Sequence, residues 1–105
     1  MKGKRLSIDG LSLFYAANGT GNFRVGISVG KKLVKAAATR NRIKRRIRAS
    51  IMKTLRDQAA GYDLVFVARR GLEAAGYEQI LKAVETVLHR SSVRIPAKRG
   101  KSTAP

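Results

Sequence analysis

Alternating apolar residues over 11–17 and 23–29, a four-residue apolar repeat over about 37–60, and a short apolar run at 62–68 predict an α+β fold. A small mixed sheet would pack against helices, within one domain over residues 1–90.

In the first segment Leu11, Leu13 and Tyr15 alternate with Ser12 and Phe14, as a strand with one buried face requires. Asn18-Gly19-Thr20-Gly21-Asn22 is a turn cluster, after which Val25, Ile27 and Val29 alternate with Arg24, Gly26 and Ser28. Two antiparallel strands are expected here. The small residues Gly26 and Ser28 mark either a concave strip on the sheet or a bend. Ile43, Ile47, Ile51, Leu55 and Ala59 then recur every fourth residue, with no Gly or Pro until Gly61 ends the helix. Tyr62-Asp63-Leu64-Val65-Phe66-Val67-Ala68 is almost wholly apolar and reads as a central strand covered on both faces. A second helix follows, with Tyr77, Ile80, Leu81, Val84, Val87 and Leu88 on one face. Residues 91–105 combine four cations and both prolines with no acid, the composition of a flexible basic tail.

The 105 residues hold 23 Lys and Arg against 6 Asp and Glu, a net charge of +17. That excess is more than solubility needs and opposes compaction, so a polyanionic partner is implied. No cysteine is present, which excludes disulfides and thiolate metal sites and suits a reducing compartment. No apolar run reaches the ~18–20 residues of a membrane span, and Met1-Lys2-Gly3-Lys4-Arg5 lacks a signal peptide's apolar stretch. A cytoplasmic protein without a membrane role is expected.

The charge is concentrated. Between Lys31 and Arg56 lie eleven Lys or Arg and no acid. A solvated helix face ordinarily mixes signs, because like charges three or four residues apart oppose the helix. At about 100° per residue, Arg42, Arg45, Arg46, Lys53 and Arg56 oppose the Ile/Leu stripe, whereas Arg40, Lys44 and Arg48 form a row beside it. The planar guanidinium can engage two phosphate oxygens at once, so the predominance of Arg favours nucleic acid over a diffuse membrane potential. The apolar stripe is claimed by the core, which argues against a helix free to enter a DNA major groove.

Catalytic chemistry is poorly supported. His89, the single histidine, ends a helix, where a cation simply complements the dipole. The six acids Asp9, Asp57, Asp63, Glu73, Glu78 and Glu85 are scattered without the spacing of a two-metal site. Of the adjacent Phe14 and Tyr15, only one can face the core, and the other either packs on the sheet or stacks on an unpaired base.

The segment Arg24-Val25-Gly26-Ile27-Ser28-Val29-Gly30-Lys31-Lys32, followed by Arg40-Asn41-Arg42-Ile43-Lys44-Arg45-Arg46-Ile47-Arg48, resembles the signature of the ribonuclease P protein family, including its RNR motif. The resemblance runs from Leu6 to Arg90. It implies a strand–RNR helix–strand crossover of left-handed sense, against the usual right-handed rule, in a fold like the second domain of ribosomal protein S5. It also implies an RNA-binding subunit that assists a catalytic RNA in removing the 5′ leader from precursor tRNA, with magnesium bound mainly by the RNA subunit and substrate and none by the protein core. Carried over by motif, Lys31, Lys32, Asn41, Arg42, Arg45 and Arg46 would contact the catalytic RNA. Tyr15, Arg40, Lys44 and Arg48 would face the single-stranded leader. No residue of the chain would be catalytic. Family members usually begin with a helix bearing phenylalanines ahead of a basic step like 1–5; that helix is expected to be lacking here. A ribosomal or other structural RNA-binding protein is the alternative.

Overall fold

The computed structural model describes residues 3–8, 10–20, 22–55 and 61–91. The elements are β1 (Lys4–Ile8), β2 (Leu11–Ala17), β3 (Arg24–Ser28), α1 (Ala37–Leu55), β4 (Tyr62–Ala68), a 3-10 turn (Leu72–Ala74) and α2 (Tyr77–Arg90). Strand β1 was not anticipated, because only Leu6 and Ile8 alternate within a basic segment. The Asp9-Gly10 dipeptide between apolar alternations was its overlooked hairpin signal.

The sheet order is β1-β2-β4-β3. β2 lies antiparallel to both β1 and β4, and β3 runs parallel to β4. The expected pairing of β2 with β3 is therefore corrected: the two run in opposite senses, but β4 lies between them. Gly61 leads β4 into that gap. Its N–H donates to the Asn22 carbonyl at 3.1 Å, and its carbonyl accepts from the Asn18 N–H at 2.7 Å. The backbone at Gly61 is left-handed (φ 90°), and a Cβ there would stand 3.2 Å from the Thr20 carbonyl oxygen. A glycine is needed on both counts. The helical crossover through α1 returns the chain parallel to β3, as a parallel pair requires.

Both helices lie on one face of the sheet. Ile43, Ile47, Ile51 and Leu55 of α1 and Ile80, Val84, Val87 and Leu88 of α2 are buried with Leu11, Leu13, Leu64 and Phe66. Each such side chain contributes roughly 1.5–3 kcal/mol on burial. α1 packs chiefly on α2 and touches the sheet at β3, while α2 lies over β1 and β2. β4 is central, but it is covered on one face only. Leu64, Phe66 and Ala68 are buried, whereas Val65 keeps 41% of its surface exposed. A continuous apolar run thus marks a strand paired at both edges without implying cover on both faces.

Helix ends follow the expected chemistry. The Gly76 N–H donates to Gln79 Oε1 at 2.9 Å at the start of α2, and the Ser91 N–H and hydroxyl donate to carbonyls of its last turn. Ser91 thus closes α2. The rest of the expected tail, like residues 56–60 of the expected first helix, lies outside the described residues.

Candidate nucleic-acid interface

Seven Lys and Arg stand on α1, and its first turn contains no acid. Among the described residues the one ion pair joins Arg24 to Asp63, so no cation of α1 is neutralised by a carboxylate there. Asn41, Arg42, Arg45, Arg48 and Lys53 are exposed, while Lys44 and Arg46 are half-buried. Arg46 thus sits nearer the edge of the packed stripe than its expected outward position. Inside the stripe Ser50 is fully buried and donates to the Arg46 carbonyl at 2.8 Å, satisfying its hydroxyl within the helix.

Arg40 has a role that sequence reasoning missed. Its guanidinium donates to the Val34 and Lys35 carbonyls at 3.0 and 2.8 Å, tying the chain ahead of the helix to the helix itself. In that same connection the Leu33 and Val34 N–H groups both donate to the Gly30 carbonyl, and Val34 is buried as an anchor. Lys31 and Lys32 are held exposed on this turn, leading into the N-terminal end of α1. The turn and the outer face of α1 form one cationic surface.

A second surface is the sheet face turned away from the helices. One row crosses all four strands here through the paired positions Arg5, Phe14, Val65 and Gly26. Phe14 is 37% exposed, and the Arg5 guanidinium lies 5.9 Å from its ring centroid, within cation–π range. Tyr15, the expected leader contact, is half-buried and packs against the core, continuing the Leu11 and Leu13 face. Phe14 is therefore the aromatic presented on the open face. Strand alternation with Leu11 and Leu13 was the signal for it.

Polar groups bound this face at both ends. At one end Asp63 accepts from Arg24 Nε and a terminal guanidinium nitrogen, both at 2.8 Å, and from Asn18 Nδ2 at 2.9 Å. These contacts hold the Asp63 carboxyl below its ordinary range, chiefly through the Arg24 hydrogen bonds, and raise Arg24 in turn. At the other end Arg69 Nε donates to the Ser12 hydroxyl at 3.0 Å, and Ser12 is 2.8 Å from the Ser7 hydroxyl. Nothing in their spacing along the chain unites Arg5, Arg24, Asp63 and Arg69, because pairing across strands brings them to one face. The arrangement can bind backbone phosphates on one surface and unpaired bases on the other.

A family model described as Ribonuclease P matches residues 1–92. The Ribonuclease P protein component of Streptococcus pyogenes serotype M49 is 42% identical over 76 residues, covering 72% of this chain. The match spans 62% of the length of that curated relative. Among solved structures, the RNase P protein of Staphylococcus aureus superposes with a TM-score of 0.78 at 32% identity, covering 87% of this chain and 83% of that one. The RNase P protein from Thermotoga maritima gives 0.75 at 25% identity, covering 87% and 86%.

Proposed function

The chain belongs to the ribonuclease P protein family, and we propose that it serves as the RNA-binding subunit of ribonuclease P, assisting a catalytic RNA in the endonucleolytic removal of the 5′ leader from precursor tRNA. The observation that carries this reading is the cationic surface of α1 and the Lys31–Lys32 turn, which no carboxylate among the described residues neutralises, set apart from an open sheet face bearing Phe14. Phosphate contacts supply affinity without reading sequence, which suits docking on a large folded RNA. Lys31, Lys32, Asn41, Arg42, Arg45 and Arg46 belong to that docking surface. Phe14, with Tyr15 supporting it from the core side, belongs to the leader surface, and Lys44 and Arg48 would meet the leader from α1, beyond the sheet face.

Exposed aromatic and apolar groups suit single-stranded RNA, whose unstacked bases can lie flat on them. Among the described residues no three of His, Asp and Glu come together as a metal site. In this reading magnesium would be held by the RNA and substrate, where it would supply an activated water and neutralise the leaving group. This chain's part is to bind and orient. Among the described residues no helix is long and apolar enough to cross a membrane, and a cytoplasmic setting accompanies the reading.

The direct test adds the full chain to a ribonuclease P RNA at low magnesium and measures precursor cleavage. Stimulation of cleavage is expected. Stable association with ribosomes and no effect on processing would instead favour a ribosomal protein.

A further inference from the structure

We propose that the row Arg5–Phe14–Val65–Gly26 seats two unpaired bases of single-stranded RNA, and that Gly26 is a specificity-determining residue because its missing side chain makes room for the second. The inference rests on the reading above that a leader lies on the open sheet face. It adds where on that face individual bases sit.

Gly26 has no structural need to be glycine. Its backbone is ordinary strand, outside the left-handed region that favours glycine. Pairing with β4 runs unbroken from Arg24 opposite Asp63 to Ser28 opposite Val67, so there is no bulge or bend for it to serve. A Cβ at this position would meet only Val65 Cγ2, at 3.7 Å, an ordinary contact. Glycine weakens a strand that could carry a side chain, and it marks places where something else approaches closely.

What the missing side chain leaves is access to Val65, which stays 41% exposed at the centre of the sheet. Phe14 flanks Val65 on one side, and Gly26 opens it on the other. Phe14 and Gly26 stand two strands apart, about 10 Å by the spacing of neighbouring strands. That separation is too wide for one ring system to cover both. One base stacks on Phe14, capped by the Arg5 guanidinium, and the next lies on Val65 over the Gly26 opening. The net charge of +17 and the cations at the rim choose a polyanion as the occupant. The flat apolar floor chooses unpaired bases over a duplex, whose bases are stacked inside.

The experiment uses holoenzyme reconstituted from the full chain and a ribonuclease P RNA. The probes are mature tRNA and precursor tRNAs whose leader carries one abasic ribonucleotide at each position in turn. In the wild type two leader positions should be sensitive, each losing on the order of tenfold in affinity, the scale of one base stack. Phe14→Ala should abolish sensitivity at one of them. Gly26→Val, whose β-branched side chain suits a strand, should abolish it at the other and lower the preference for leader-bearing over mature tRNA. Gly26→Ala, which fits at ordinary contact distance, should do the same to a smaller degree and serves if the valine variant does not fold. A single sensitive position, or two that both survive in Gly26→Val, overturns the assignment of Gly26 while the leader reading stands. No preference for leader-bearing RNA in the wild type would refute the leader reading itself.

Discussion

Arg24 and Asp63, 39 residues apart in sequence, face each other across the parallel β3–β4 pair in a two-point contact, with Nε to Oδ1 and a terminal nitrogen to Oδ2 both at 2.8 Å. Asn18 adds a third donor from the turn after β2. One carboxylate therefore ties together the ends of three strands.

The Asp63 carboxyl is held below its ordinary range, so its contribution to stability is present above the unfolded value, about pH 4, and is lost as pH falls through the depressed native value. The melting-temperature gap between wild type and Asp63→Asn should be widest near neutral pH and close on acidification below about pH 4. A gap independent of pH over that range would assign the loss to something other than the carboxylate charge.

Gly61→Ala should lower stability by roughly 1–2 kcal/mol, the cost of a left-handed backbone for an L-residue, with the approach of the new Cβ to the Thr20 carbonyl added to it. Chemical denaturation reads this directly. An unchanged midpoint would show that the turn after β2 yields freely.

Salt dependence tests the cationic surface. With about six phosphates neutralised, raising salt from about 50 to 200 mM should weaken RNA binding on the order of a thousandfold. A nearly flat slope in filter binding would contradict a phosphate-contacting surface.

The two basic groups on α1 should separate. Replacing the exposed Arg42 and Arg45 together by Ala should weaken affinity for the catalytic RNA while moving fold stability little, since surface changes typically stay within about 0.5 kcal/mol. Replacing Lys44 and Arg48 should spare more of that affinity and reduce the advantage of leader-bearing substrate. Arg40→Ala should behave unlike either, costing about 1 kcal/mol of stability, because its guanidinium serves the Val34 and Lys35 carbonyls. Equal loss of both activities in the first two variants would show that the groups are not functionally distinct.

The protein without RNA should leave precursor tRNA intact in the presence of magnesium. His89 is exposed in the last turn of α2, where it complements the helix end. Cleavage that survives nuclease treatment and vanishes in His89→Ala would overturn the assisting role.

Periodicity made the helices and three of the four strands legible, because Ile43, Ile47, Ile51 and Leu55, or Leu11 and Leu13, repeat at the period of their own element. It could not reveal that β4 enters between β2 and β3, since partner choice depends on contacts between residues far apart in the chain. The cationic surface was legible because it is local to one helix. The open sheet face was not: Arg5, Phe14, Val65 and Gly26 come from four strands, and only their pairing unites them.

The insertion of β4 also orders events in time. A chain still being synthesised can close the β1–β2 hairpin early, but β3 has no neighbour in the sheet until residues 62–68 emerge, by which point all of α1 has left the ribosome. Sheet completion is a late, long-range step, of the kind that slows folding because loop closure precedes its reward. Until then the cations of α1 lie on a helix whose apolar stripe has no sheet or second helix to pack against. A polyanion that engages them at that stage would relieve their mutual repulsion and so favour compaction of the chain.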